Sequence, residues 1–322
     1  MSTILITGGA GYVGSHSVLA LKERGHKCIV IDDLSTGAYE FAGLADEFYR
    51  QDITMHDAFN VFSGRKIDCV LHCAGKAIVS ESICNPALYW QTNLIGTKNV
   101  INAFPNAHIV FSSTCAVYGS HGQTPITIDT LPRPSTPYGN SKLAAEYIVR
   151  NRNGASKHVI FRYFNVAGAD PACRVGEIDK SKTRLIPNLL RAATCYEPMT
   201  IFRANDETPD GTCVREYVHP ADLARAHVAA VEHLIANKPS FMMNLGGEQA
   251  STLRIKNIVC NEIQSEMYTI YAAPREGDPA FLCTAPAGQE NLIGWSRQHD
   301  LCNIIMTAAA WWRKMQTTQR DI

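Results

Sequence analysis

Thr3-Ile-Leu-Ile-Thr7, followed at once by Gly8-Gly9-Ala10-Gly11-Tyr12-Val13-Gly14, carries the topology of this chain. A short β-prone run meets a glycine-rich turn, and helix-forming residues come next. The glycines satisfy both Gly-x-Gly-x-x-Gly and the wider Gly-x-x-Gly-x-x-Gly spacing. In a strand–turn–helix unit one glycine permits the tight turn and another lets the backbone approach a pyrophosphate. The last allows close helix–strand packing. The helix N-terminus then presents its unpaired N–H groups and positive dipole end to phosphate. Any strand–turn–helix can use glycine, so the pattern gains its weight from an acidic residue further along the chain.

Asp32 closes a second apolar run, Cys28-Ile-Val-Ile-Asp-Asp33, about 20 residues downstream of the glycines. A carboxylate there binds the adenosine ribose 2′-OH and repels a 2′-phosphate, which favours NAD over NADP. Asp32 and Asp33 are otherwise ordinary turn residues after a strand. Asp52-Ile53 suits an adenine contact in the same manner, although a solvated loop Asp fits almost as well.

Further apolar runs at Lys27–Ile31, Cys69–Cys73, His108–Ser112 and His158–Phe164 read as strands that carry little charge. Helix-length segments separate them, among them Ser15–Glu23, Asn93–Ala103 and Ser141–Asn151. This alternation predicts a doubly wound parallel α/β sheet of the Rossmann type, covered on both faces, with ligands beyond the carboxyl ends of the strands. After Asn165 the pattern loosens: Ala169–Lys182 and Asn205–Thr212 read as loops. Pro220–His233 reads as a helix, with Pro220 at its start and Asp222 in its first turn. The expected division is a nucleotide-binding domain over 1–168, with 213–236 packing back onto it. A smaller α/β substrate domain then spans 169–322.

Bulk properties limit the partners. The 322 residues hold 30 Lys and Arg against 30 Asp and Glu, so no electrostatic case exists for nucleic acid or a membrane surface. The chain has no apolar stretch near the roughly 20 residues that span a bilayer. Its start reads as a strand rather than a signal peptide. Its 11 cysteines are scattered, several inside apolar runs, the usage of a reducing cytoplasm. No CxxC or HExxH spacing appears, so no metal site is expected. A small-molecule substrate is the expected partner.

The chemistry is carried by Tyr138-Gly-Asn-Ser-Lys142. On a helix a phenol and an ammonium four residues apart stand on one face, one turn apart. Beside a nicotinamide they would serve as the acid/base pair of a hydride transfer. Presenting a phenolate near neutrality requires a shift of about 3 units, roughly 4 kcal/mol, which an adjacent Lys and a positive nicotinamide ring can supply. Tyr-x-x-x-Lys also arises by chance at the start of amphipathic helices; the glycine turn reverses those odds. Phe111-Ser-Ser-Thr114-Cys-Ala-Val-Tyr118-Gly119 leaves a strand rich in hydroxyls and places Thr114 at the sheet's carboxyl edge. There its hydroxyl can bridge substrate and Tyr138, whereas Ser112 and Ser113 read as scaffold.

These stretches resemble the extended short-chain dehydrogenase/reductases, and more narrowly the UDP-galactose (UDP-glucose) 4-epimerase family, nearly end to end. The resemblance runs through Thr7–His16, His72-Cys-Ala-Gly75, Ser112–Gly119, Pro137–Lys142 and Arg162-Tyr-Phe-Asn165. It continues through Pro209–His219, Arg275-Glu-Gly-Asp278 and Leu292-Ile-Gly-Trp295. It implies a tightly held NAD, regenerated each turnover, and reversible inversion at C4 of a UDP-hexose through a 4-keto sugar and transient NADH. Tyr138, Lys142 and Thr114 would be catalytic. The cofactor would contact Gly8, Gly11, Tyr12, Val13 and Gly14, then Asp32, Asp33, Leu34 and Ser35, with Asp52 and Ile53. Further contacts would come from Cys73, Ala74, Gly75, Lys76, Asn93, Thr114, Tyr138, Lys142 and Phe164. On the substrate side, Arg215, Arg275 and Asn165 would hold the diphosphate, suiting the bidentate contacts guanidinium makes. Phe202 would pack near uracil and Asp278 would bind the uridine ribose. Leu185, Thr114 and Tyr138 would line the sugar pocket, and Leu282 would set the room for the C2 substituent. The family also implies a homodimer through Asn93–Ala103 and Ser141–Asn151.

Departures and rivals frame that expectation. Ala77 stands where family members often carry Lys, with Lys76 one position earlier. Arg184 precedes Leu185-Ile-Pro187 where Asn or His is commoner, and the connections after Asp33 and before His108 are short. A dehydratase or decarboxylase needs an acid right after its active-site Thr or Ser; here Cys115 and Ala116 follow Thr114. A 4-epimerase of UDP-N-acetylhexosamines or UDP-pentoses stays open, and a leucine at 282, smaller than tyrosine, leaves space for an N-acetyl group. A non-catalytic NAD-sensing regulator on the same fold would tolerate loss of the Tyr/Lys pair, which this chain retains.

Overall fold

In chain order the strands are β1 (Thr3–Thr7), β2 (Lys27–Asp32), β3 (Glu47–Arg50), β4 (Cys69–His72), β5 (His108–Thr114), β6 (His158–Tyr163) and β7 (Asn165–Val166). Then come β8 (Met199–Phe202), β9 (Val214–Val218), β10 (Phe241–Leu245), β11 (Glu248–Ser251), β12 (Thr269–Ala272) and β13 (Phe281–Leu282). The computed structural model describes residues 1–120, 125–178, 181–204, 208–275, 278–285 and 291–320. Parts of the sequence motifs at 169–182, 205–212 and 275–278 lie outside the described residues.

Seven parallel strands form one sheet in the order β10-β6-β5-β4-β1-β2-β3. Because side chains alternate across a strand, each strand feeds two cores. Ile4 and Ile6 of β1, with Cys28 and Val30 of β2, meet Val18 and Leu21 of the helix Tyr12–Glu23 and Leu223, Val231 and Leu234 of the helix Pro220–Ile235. Leu5, Ile29 and Ile31 point the other way, onto Val100, Phe104, Ala145 and Val149. Burial on both faces explains why these strands read as continuous apolar runs.

β10 corrects the expected domain limits. The sequence predicts that 213–236 packs back onto the nucleotide-binding part; Pro220–Ile235 does so, Val214–Val218 belongs instead to a smaller sheet, and Phe241–Leu245 also returns, pairing with β6 from Phe241↔Val159 to Leu245↔Tyr163. The helix before it acts as the crossover, so the return runs to Leu245. β9 is the hub of a smaller mixed sheet, flanked by β11 and β13 and joined by β7. Ile186, Leu189, Ile255, Val259, Leu301, Ile304 and Ile305 form the separate core beneath it.

Two local details set the site. The helix expected over Ser141–Asn151 begins earlier, at Pro137, because Thr136 caps it: its hydroxyl oxygen accepts the Gly139 N–H at 3.2 Å, and proline suits the first helical position. Tyr138 therefore sits in the first turn, facing the carboxyl ends of the strands. The helix expected over Asn93–Ala103 divides into a π turn, Trp90–Ile95, and an α segment, Gly96–Ala103. π turns recur at functional sites, and this one holds the fully buried Asn93.

Candidate active site

The glycine turn is built so that side chains are excluded. Gly8 has φ +69°, and a Cβ there would lie 2.6 Å from the Ala74 nitrogen. At Gly14 a Cβ would lie 2.1 Å from the Gly8 carbonyl oxygen. Gly11 precedes the helix Tyr12–Glu23 without any side-chain cap, so the first N–H groups keep capacity for an anion. Asp32 is 7% exposed at the end of β2. One of its oxygens accepts Ala10 N–H at 3.0 Å and the other Leu34 N–H at 2.8 Å. Burial pushes its carboxyl above the ordinary value, against the backbone donors that pull it down. A carboxylate has about four acceptor positions, so two remain for ribose hydroxyls. These features fit a dinucleotide.

The flanking loop is tied down by Asn93. Its oxygen accepts Lys76 N–H at 2.8 Å, while its amide group donates to the Lys76 carbonyl at 3.1 Å and to Ser141 Oγ at 3.0 Å. Both amide N–H groups are thus used inside the protein, and Asn93 fixes the Cys73–Lys76 segment to the Tyr138 helix. Lys76 Nζ reaches Ser35 Oγ at 3.3 Å, bridging two expected cofactor segments. Asp52 accepts Thr54 N–H at 2.8 Å, a local turn, and Ile53 packs against Gly96. Phe164 is buried against Cys115, Val117 and Tyr118.

At the end of β5 the Thr114 hydroxyl accepts Ala116 N–H at 3.1 Å and stands beside the Tyr138 phenol, which it draws down. Burial is the larger influence on the phenol and pushes it up to about 12; Thr114 and the Arg184 charge pull it down. Lys142 is 5% exposed, and burial holds its ammonium down to about 8. Its Nζ lies 4.3 Å from the Phe111 ring centroid and beside Gly75. Arg184's charge pulls the phenol down, and the Lys142 Nζ lies beside Gly75. Sequence spacing shows that two residues share a helix face; it does not show which of them points at the other.

In the sequence Arg184 stands out only as a departure from pattern. It ion-pairs with Glu177 at 2.7 Å and acts on Tyr12, Tyr138 and Tyr163 together. Tyr89, fully buried, stands edge-on to Tyr138 with ring centroids 6.2 Å apart. Nothing near Tyr89 in sequence signals that contact, because it is made between separate helical segments.

β9 assembles the expected substrate residues. Leu282 is in register with Arg215, and Asn165 with Tyr217. Arg215 Nη2 contacts Asp278 Oδ1 at 2.5 Å, and its Nη1 donates to the Val214 carbonyl at 2.7 Å. Asn165 donates to the Glu216 carbonyl at 3.0 Å. Arg275 stacks on Phe202, 3.8 Å from the ring centroid. Leu282 packs against the cluster of Cys115, Val117, Tyr118, Ile126 and Phe164, joining this face to the loop after Thr114. Leu185 opens the helix Leu185–Cys195 directly after Arg184. Among the described residues, no group of His, Cys, Asp and Glu is placed to hold a metal ion, and no helix is long and apolar enough to cross a membrane.

The profile of the NAD dependent epimerase/dehydratase family matches residues 4–246. The chain belongs to this family. The UDP-glucose 4-epimerase of Azospirillum brasilense is 38% identical, over 97% of this chain and 92% of that protein. Among solved structures, the UDP-glucose 4-epimerase of Stenotrophomonas maltophila with bound NAD and formylated UDP-arabinopyranose superposes with a TM-score of 0.94. It is 28% identical, over 99% of this chain and 100% of that one. The UDP-Glc/GlcNAc 4-epimerase of Campylobacter jejuni gives 0.83 at 32% identity, over 98% of this chain and 100% of that one. The family match ends at 246, one residue past β10, where the parallel sheet also ends.

Proposed function

We propose that this protein is an NAD-dependent epimerase that inverts C4 of a UDP-hexose, interconverting UDP-glucose and UDP-galactose through a 4-keto sugar. The observation that carries this reading is the placement of Thr114 beside the Tyr138 phenol at the carboxyl end of β5, followed by Cys115 and Ala116 rather than an acid that would drive elimination.

NAD, when bound, supplies a reversible two-electron acceptor for the hydrogen on C4. The glycine turn, Asp32, the Cys73–Lys76 segment and Lys142 are the groups that hold it. Tyr138 takes the proton of the sugar 4-OH in one half-reaction and returns it in the other, with Thr114 bridging phenol and substrate. Arg184 contributes the positive charge that draws the phenol down. Inversion requires a ketone loose enough to turn over in its pocket, so affinity comes from the remote UDP group. Arg215 and Arg275 grip the diphosphate with Asn165; Phe202 lies against uracil and Asp278 takes the ribose hydroxyls. For this, Asp278 must share or release Arg215, its partner in the chain alone.

The nucleotide-binding part comprises 1–168 together with the returning segment 220–245, and the remaining residues after 168 form the substrate-binding part. A homodimer through the Asn93–Ala103 and Tyr138 helices accounts for the apolar surface that Trp90 and Tyr147 leave exposed, 39% and 68%. All eleven cysteines are free, in keeping with a cytoplasmic enzyme. Leu282 favours a second reading in which N-acetylated UDP-sugars are also accepted. Supplying UDP-glucose, UDP-N-acetylglucosamine and UDP-xylose separately and looking for each 4-epimer tests both. UDP-galactose formation is expected; protein that carries NAD yet epimerises none of the three would overturn the reading.

A further inference from the structure

Behind Thr114 and Tyr138 lies a buried ionic cluster that the mechanism above does not use. Arg162, on β6, grips the Glu146 carboxylate with two prongs, Nε to Oε1 at 2.9 Å and Nη2 to Oε2 at 2.6 Å. Their side chains are 3% and 2% exposed. Ser113 donates its hydroxyl to the same Oε1. The Arg162 guanidinium also lies 4.9 Å from the Tyr118 ring centroid, and Tyr118 donates to Asn244 Oδ1 at 2.7 Å.

The cluster stands in a defined relation to the reacting groups. Tyr138, Lys142 and Glu146 occur at intervals of four along one helix and so form one stripe. Ser113 and Arg162 are directly opposite in the β5–β6 pairing, and Thr114 with Tyr163 make the next row. Glu146 therefore fastens the helix to the sheet row just before the one that holds Thr114. A slide of that helix by one residue, about 1.5 Å, would break both prongs and carry the phenol away from Thr114. Buried ion pairs are a weak source of stability, because desolvation offsets the attraction, and their best-attested use is to set register.

We propose that Glu146 and Arg162, completed by Ser113, are positioning residues that fix the register of the Tyr138 helix on β5 and β6 and thereby hold the phenol against Thr114. This rests on Tyr138 and Thr114 being the acid/base pair of the reaction.

The test replaces the ion pair with apolar residues of similar length, Glu146→Met with Arg162→Met, so that no buried charge is stranded. The double variant is expected to fold and retain NAD, with kcat for UDP-glucose about 100-fold lower and KM within about 3-fold. The acid limb of its pH profile should move up, because the phenol moves away from the Thr114 hydroxyl that draws it down. A folded double variant with unchanged kcat and pH profile overturns the proposal. Should it not fold, Ser113→Ala decides: a kcat about 5-fold lower at constant KM, the loss of roughly one hydrogen bond, supports the proposal, and unchanged kcat overturns it. Tyr138→Phe is assayed alongside. Full activity there removes the acid/base reading itself, whereas an inactive Tyr138→Phe beside a fully active double variant removes only the positioning role.

Discussion

The Thr114 hydroxyl meets the Tyr138 phenol across the gap between a strand end and the first turn of a helix, 24 residues apart in sequence. That contact opposes the burial that otherwise pushes the phenol's proton affinity up. It brings the chemistry of two separate elements to one point.

Removing the bridge should slow turnover while leaving binding in place. Thr114→Ala deletes a bond of about 1–3 kcal/mol, which corresponds to a kcat roughly 5- to 150-fold lower. KM for UDP-glucose should stay within about 3-fold. Steady-state kinetics on NAD-loaded protein checks this.

Arg184 should control the acid limb of the pH profile. A positive neighbour favours the phenolate, so its charge lowers the pKa of Tyr138. Arg184→Met removes that charge, raises the pKa and moves the acid limb of kcat toward higher pH. Arg184→Lys should restore most of the shift. A limb that moves to lower pH in Arg184→Met would show that the charge acts elsewhere.

Asp32 should set cofactor choice. Asp32→Ala removes the acceptors left for the ribose and the charge that repels a 2′-phosphate. NAD carried through purification should fall, and preference for NAD over NADP should narrow by at least about 10-fold, or 1.4 kcal/mol. Titration of both cofactors into stripped protein measures it.

Legibility in the sequence differs by element. Short-range patterns read well: the strands at Thr3, Lys27, Cys69, His108 and His158, and the glycine turn, follow from residue type and spacing alone. β3, Glu47–Arg50, is polar and partly exposed, so it lacks the apolar signal of the buried strands. β10 reads as a short run with no local sign of which sheet it joins; only its pairing with β6 shows that. In the site, residue identity points to Tyr138, Lys142 and Thr114, but not to the direction of the Lys142 ammonium. Nor does it show the Arg215–Asp278 pairing or Arg184's reach to the phenol. Those depend on contacts between distant segments, which a linear pattern does not encode.

Leu282 should govern tolerance at the sugar C2 position. Its pairing with Arg215 and its packing against the cluster that holds Cys115 and Phe164 place it between Arg215 and the loop after Thr114. Leu282→Tyr adds bulk there and should lower the activity ratio of UDP-N-acetylglucosamine to UDP-glucose by about 10-fold or more. Equal ratios in the two proteins would remove Leu282 from specificity.

The central claim is that one phenol carries the proton in both directions of a UDP-hexose epimerisation. Its most direct test is Tyr138→Phe, purified with its NAD content measured and assayed for UDP-galactose formation from UDP-glucose. NAD content is expected to match the parent protein while turnover falls by about 10²–10⁴. Undiminished turnover in NAD-loaded Tyr138→Phe protein would contradict the claim.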